Sequence, residues 1–142
     1  MNNYIEPGQY ILTNKATGTV LDLSGSDSKS IIGWQHNGGS NQNWDILPVQ
    51  DDTYMIASAA GGKRITAPDG GDRPIAALAD PNDPRSLWRA FTNDGFGYIF
   101  HNMADPGKVL DLAASSPDNG TPIVLWEPNG GANQEWIIRR IW

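Results

Sequence analysis

Two stretches of this chain carry the same polar residues in the same order. Asp22 lies in Val20-Leu21-Asp22-Leu23 and Asp111 in Val109-Leu110-Asp111-Leu112. Downstream, Trp34-Gln35-His36-Asn37-Gly38-Gly39-Ser40-Asn41-Gln42 aligns without a gap to Trp126-Glu127-Pro128-Asn129-Gly130-Gly131-Ala132-Asn133-Gln134. Each stretch therefore offers one carboxylate, one indole and one side-chain amide. Together these are the chemistry of polyol recognition. A carboxylate accepts charge-assisted hydrogen bonds from two neighbouring hydroxyls. An aromatic ring covers the apolar C–H face of a pyranose, and an asparagine amide can donate to one hydroxyl and accept from another. Gly38-Gly39 and Gly130-Gly131 would let backbone N–H groups approach a ligand closely. An acidic residue between two leucines of a strand points away from the core, so Asp22 and Asp111 are expected to face water. Trp34 and Trp126, just before the glycine pair, are expected to stand exposed. A plain alternative is that each aspartate caps a turn.

The stretch between these two lacks all three groups. At the offset of Asp22 stands Thr66, at that of Trp34 stands Leu78, at that of Asn41 stands Arg85, and at that of Gln42 stands Ser86. Two binding sites and a silent middle are expected. Catalysis finds little support. Hydrolysis of a glycoside requires two carboxylates facing each other across the bond, and each candidate set has one. Asp51-Asp52 reads as a solvated connection outside the aligned stretches. His36 and His101 fall in different copies, and no serine lies in a Gly-x-Ser-x-Gly elbow. No metal motif occurs, and the absence of cysteine removes thiolate sites and disulfides together. No catalytic residue, metal or cofactor is expected.

What must position these groups is a threefold repeat. Tyr10-Ile11-Leu12, Tyr54-Met55-Ile56 and Tyr98-Ile99-Phe100 recur at a constant interval (54 − 10 = 44 and 98 − 54 = 44), and Trp44, Trp88 and Trp136 close the three copies. A period of this size means one supersecondary unit, copied, whose members bury their apolar faces only by stacking together. Within each copy, short β-branched and aliphatic runs are bounded by Gly, Asn, Ser or Asp. Glycine is too frequent for helices of ordinary length. About four strands per copy, roughly twelve in all, indicate an all-β barrel closed by hairpins about a pseudo-threefold axis. The copies run over about 7–50, 51–94 and 95–142, and the whole of 1–142 reads as a single domain. Trp44, Trp88 and Trp136 are expected in the core with their N–H groups on backbone acceptors. Gln42 and Gln134 are expected to brace the fold between repeats. Asn119-Gly120-Thr121 matches a glycosylation sequon but reads as an Asn-Gly turn.

Asn41-Gln42-Asn43-Trp44 and Asn133-Gln134-Glu135-Trp136 each carry Gln-x-Trp after a Leu-Asp-Leu strand. On these motifs the chain resembles the ricin B-type β-trefoil lectin family over essentially its whole length. Its look is nearest to the small cysteine-free fungal lectins that bind galactose and N-acetylgalactosamine. The resemblance implies a β-trefoil with sugar-binding positions at Asp22, Trp34, His36, Gly39 and Asn41, and at Asp111, Trp126, Gly131 and Asn133. For His36 a plain surface role stays open, because the third copy has Pro128 there. It further implies glycans with terminal galactose or N-acetylgalactosamine as partners, agglutination by multivalency, a homodimer and a role in defence.

Bulk properties narrow the remaining classes. A net charge of −6 argues against nucleic acid, since phosphate neutralisation needs clustered Lys and Arg. No run approaches the roughly 20 apolar residues of a membrane span, so no membrane insertion is expected. No basic leader precedes the first repeat, and a cytoplasmic location is the expectation. Two other classes remain. A β-trefoil protease inhibitor would act through one exposed loop, and would have no need to repeat the Asp, Trp and Asn sets. A carbohydrate-binding module of a larger enzyme would be expected to show a linker, whereas the chain begins and ends close to the repeat.

Overall fold

Short aliphatic runs cut by glycine turns become twelve strands. The structure is a computed structural model that describes residues 4–142. The strands are β1 (Gly8–Asn14), β2 (Val20–Leu23), β3 (Ile31–Trp34), β4 (Trp44–Gln50), β5 (Thr53–Ser58) and β6 (Arg64–Thr66). They continue with β7 (Ile75–Ala77), β8 (Trp88–Thr92), β9 (Gly97–Asn102), β10 (Val109–Leu112), β11 (Thr121–Trp126) and β12 (Trp136–Arg140).

The first and last strands of the three repeats form a closed ring. β1 pairs β4, β4 pairs β5, β5 pairs β8, β8 pairs β9, β9 pairs β12, and β12 returns to β1. Closure leaves these six strands no free edge. The remaining six form three hairpins that cap one end of the barrel: β2–β3, β6–β7 and β10–β11. The hairpins also touch one another. Thr121 pairs with Gly33, Ser30 bridges to Ile75, and the Leu125 N–H donates to the Asp72 carbonyl at 2.6 Å. A barrel capped by three linked hairpins is the β-trefoil that the repeat predicts.

The two sequence signatures meet in space. Tyr10 lies opposite Trp44, Tyr54 opposite Trp88 and Tyr98 opposite Trp136, so each repeat's opening tyrosine registers against its closing tryptophan. The three indoles are fully buried in one core with Leu12, Ile56 and Phe100. Losing such a ring to alanine costs about 3–5 kcal/mol. Each indole N–H donates to a strand carbonyl, of Leu21 at 3.0 Å, Ile65 at 2.9 Å and Leu110 at 3.2 Å. These carbonyls belong to the residues immediately before Asp22, Thr66 and Asp111. The core tryptophan thus pins the same strand that carries, or lacks, the carboxylate. The Asn119-Gly120 pair forms a turn before β11, with Gly120 at φ 91°.

Candidate functional site

Asp22 and Asp111 do not face open water. They are 3 % and 4 % exposed, on strands β2 and β10 whose residues are all buried. Strict alternation predicts a wet face only where one side of a sheet is solvated. Here the 3-10 turns Ser40–Gln42 and Ala132–Gln134 pack against β2 and β10, and their asparagine and glutamine side chains cover the carboxylates. Burial pushes both carboxyls above the usual carboxylate range, against the opposing pull of the amides that bond them.

Those amides come from the Gln-x-Trp motif and the residue before it. Gln42 Nε2 donates to Asp22 Oδ2 at 2.9 Å and to the Gln35 carbonyl at 2.9 Å, while its Oε1 accepts from the Asn37 N–H at 2.9 Å. Gln134 repeats this on Asp111 Oδ2 at 2.9 Å, the Glu127 carbonyl at 2.8 Å and the Asn129 N–H at 2.9 Å. The glutamines therefore brace within their own repeats, not between them as expected from the sequence. Their role is to fix the carboxylate and the loop over it. They are the functional residues that the sequence reading assigned elsewhere, although their replacement by Ser86 in the middle repeat carried the signal.

Asn41 and Asn133 complete the floor. Asn41 Nδ2 donates to Asp22 Oδ1 at 3.2 Å and to the Leu23 carbonyl at 3.0 Å. Asn133 Nδ2 donates to Asp111 Oδ1 at 3.1 Å and to the Leu112 carbonyl at 3.2 Å. Both neighbours are acceptors, so the amide nitrogen must point inward and the oxygen outward. The asparagines offer a ligand acceptors only, rather than one donor and one acceptor. Each carboxylate has about four lone-pair sites, of which these amides use two. The floor is therefore an array of acceptors suited to hydroxyl donors.

Gly39 and Gly131 serve this geometry differently from the expectation. Their N–H groups donate to Asn37 Oδ1 at 2.9 Å and Asn129 Oδ1 at 2.8 Å and so do not reach for a ligand. Glycine is required because an added Cβ would lie 2.5 Å from Asn41 Oδ1 or 2.6 Å from Asn133 Oδ1. The preceding Gly38 and Gly130 take φ of 78° and 75°, which a side chain disfavours. Asn37 and Asn129, aligned but not singled out by sequence, close these loops.

The walls distinguish the two sites. In the third repeat Asp111, Asn129 and Asn133 share a pocket of about 370 Å³ with Trp126, Ala113, Ala114 and Val124. That volume falls within the range of about 300–1,000 Å³ usual for small-molecule sites. Trp126 is 53 % exposed. From Asp111 to Trp126 is 15 residues against 12 from Asp22 to Trp34 (126 − 111 and 34 − 22), and this longer loop supplies Ala113 and Ala114 as a wall. Ala114 and Ser115 sit at φ 54° and 53° to make that turn. In the first repeat Asp22 and Asn41 are joined in the same way, but Trp34 is half-buried. It lines a different hollow with Arg73 of the second repeat and Pro122 of the third, its ring 3.9 Å from where a Cβ on Gly120 would stand. His36 is exposed, and among the described residues its ring makes no hydrogen bond.

The middle repeat keeps the scaffold without the floor. Thr66 is buried with its hydroxyl on the Arg64 carbonyl at 2.9 Å. The Arg85 guanidinium folds onto Asp83, with Nη2 to Oδ2 at 2.9 Å, and onto Asp69. The Ser86 hydroxyl donates to the Asp83 carbonyl at 3.0 Å, and Leu78 is 80 % exposed.

Comparison with known proteins agrees with this fold. The family described as ricin-type beta-trefoil lectin domain-like matches over residues 2–79, 48–126 and 84–141. A main hemagglutinin component type C of Clostridium botulinum C phage is 26 % identical over 118 residues, 81 % of this chain and 41 % of the relative. The chain thus spans about two fifths of the length of the curated relatives it matches. Among solved structures, the Macrolepiota procera ricin B-like lectin in complex with lactose is 30 % identical with a TM-score of 0.82, over 96 % of this chain and 99 % of that one. The C-half of an earthworm R-type lectin in complex with GalNAc is 27 % identical with a TM-score of 0.75, over 94 % and 99 %.

Proposed function

We propose that this chain, which belongs to the ricin-type β-trefoil lectin family, is a non-catalytic lectin for galactose- and N-acetylgalactosamine-type glycans. It has two sites, one over Asp22 and one over Asp111. The observation that carries this is the buried Asp111 carboxylate, held by Gln134 and Asn133 at the floor of a pocket walled by the exposed Trp126 indole. Acceptors below and an aromatic face beside them suit a ring with hydroxyls on one side and C–H groups on the other. A cis pair of hydroxyls, as at positions 3 and 4 of galactose, suits one carboxylate better than a trans pair. The lactose and GalNAc held by the structural relatives support the same sugar class. One carboxylate per site leaves no partner acid for glycoside cleavage.

A monosaccharide site of about 1 mM affinity supplies only roughly −4 kcal/mol. Two sites on one rigid barrel, or four on a homodimer, raise avidity by orders of magnitude on a dense glycan surface. Agglutination is the expected readout, and the dimer and a defensive role rest on the family resemblance alone.

The test is a galactose titration followed by the tryptophan indole protons. Those of Trp34 and Trp126 should shift. Asp22→Ala and Asp111→Ala should each weaken binding at least tenfold at their own repeat and spare the other, as loss of a charged acceptor predicts. Shifts near Leu78 with both indoles unmoved would overturn the assignment.

A further inference from the structure

Trp126 has a second neighbour besides the Asp111 pocket. Its indole also lines a cleft of about 470 Å³ where the second repeat meets the third. We propose that this cleft is an extension subsite for the next residue of a neutral oligosaccharide whose terminal sugar occupies the Asp111 pocket. The inference rests on the lectin reading of that pocket and names the longer glycan the third repeat would select.

Three features carry it. The first is continuity: one half-exposed ring forms the divide between the pocket and the cleft, so a glycan leaving the pocket over the indole enters the cleft. The second is rigidity. The turn of the second repeat is fastened beside the indole by the Leu125 N–H to Asp72 carbonyl bond of 2.6 Å. On the cleft wall, Asn102 donates to the Arg85 carbonyl at 3.0 Å and accepts from the Ala104 N–H at 3.1 Å. A preformed wall spares a ligand the ordering entropy that a mobile loop would exact. At the mouth, an added Cβ on Gly70 would meet nothing within 4 Å, so the approach is open.

The third feature is charge. The cleft presents Asp69, Asp72 and Asp105 against Arg85 and Lys108, and Arg85 is already engaged by Asp69 and Asp83. Asp105 spends Oδ1 on the Gly107 N–H at 3.3 Å and keeps Oδ2 for a donor. With Asp69 paired to Arg85, Asp72 and Asp105 stand beside the single ammonium of Lys108, and this surplus of carboxylate disfavours an anionic substituent and accepts hydroxyls. The sugar that fits is neutral. The first repeat has no copy of this wall: its indole lines a hollow with Arg73, Gly120 and Pro122 instead.

The experiment compares methyl galactoside with two galactose-terminated neutral disaccharides, one β1-4 and one β1-3 linked, by titration calorimetry and amide chemical shifts. All three should move the Trp126 indole. At least one disaccharide should also move the amides of Gly70, Gly71 and Lys108, and bind about tenfold tighter, as one or two added hydrogen bonds would give. The double variant Asp105→Ala/Lys108→Ala should abolish that gain and leave methyl galactoside affinity unchanged. Neither disaccharide gaining affinity, or a gain that survives the double variant, would overturn the subsite. If methyl galactoside leaves the Trp126 indole unmoved, the lectin reading of the pocket fails instead, which is a separate outcome.

Discussion

The second and third repeats share a skeleton and differ in what lies under one loop. In both, a buried tryptophan donates its N–H to the strand carbonyl before the key position, Ile65 ahead of Thr66 and Leu110 ahead of Asp111. In the third repeat Gln134 and Asn133 hold a carboxylate from two sides, whereas in the second Ser86 satisfies a nearby backbone carbonyl and Arg85 turns outward to Asp83 and Asp69. The lesson is that the packing core and the polar floor are separable. Trp, Tyr and the aliphatic positions suffice to close the barrel. The aspartate, glutamine and asparagine act as a second, interlocked layer that one lobe has dispensed with without loss of fold.

Stability gives the largest contrast between those layers. Gln134→Ala would leave the buried Asp111 Oδ2 without its partner and free the part-buried Glu127 carbonyl and Asn129 N–H that hold the loop. It should cost about 3 kcal/mol or more, lowering the midpoint of thermal unfolding on the order of 10 °C. Ser86→Ala removes one hydrogen bond to Asp83 and should cost about 1 kcal/mol. Calorimetric scans of both would check this, and equal losses would mean that the floor is ordinary packing.

The comparison can also be run in reverse by building a floor where none exists. The interval from Thr66 to Leu78 is 12 residues (78 − 66), as from Asp22 to Trp34 (34 − 22). The combined variant Thr66→Asp, Leu78→Trp, Pro81→Asn, Asn82→Gly, Asp83→Gly, Arg85→Asn and Ser86→Gln, which also restores the Asn-Gly-Gly loop, is expected to bind galactose in the middle repeat at about 1 mM, a typical weak-site energy of roughly −4 kcal/mol. Thr66→Asp alone should bind nothing there. Galactose binding by the single variant would show that ring and amide are dispensable.

Acidification supplies the mildest test, since it moves the two floors together while the second repeat has Thr66, not a carboxylate, at that position. Burial raises the Asp22 and Asp111 carboxyls in the folded protein. A raised folded-state value means that the ionised groups oppose folding above it, and that this penalty is relieved as pH falls through it. Sugar binding, which on the proposed reading uses the ionised acceptor, moves the other way and should fade before the ordinary carboxylate range is reached. Galactose affinity measured from neutral to mildly acidic pH, beside the unfolding midpoint, would reveal the divergence. Affinity that holds until the range of an exposed aspartate would refute it.

Much of this molecule was legible in one dimension. The 44-residue interval of the tyrosines and the placement of Trp44, Trp88 and Trp136 predict twelve strands and a threefold core, because repetition needs no long-range knowledge to detect. The paired Asp, Trp and Asn sets marked the first and third repeats for the same reason. Alternation failed at Asp22 and Asp111, where it implied a solvated face that the Asn41–Gln42 and Asn133–Gln134 side chains in fact cover. The inter-repeat role expected of Gln42 and Gln134 failed as well, since an amide's partners are set by which backbone groups arrive beside it.

By itself, then, the order of residues determined the fold, the number of copies and which copies carry a carboxylate. These follow from periodicity and side-chain type, both local properties. Only the tertiary structure decided that the carboxylates are buried, that the asparagines turn their oxygens outward, and that Trp126 stands open while Trp34 leans on a neighbouring repeat. Each of those depends on loops brought together across the cap, where burial and hydrogen-bond partners are shared among segments far apart in the chain.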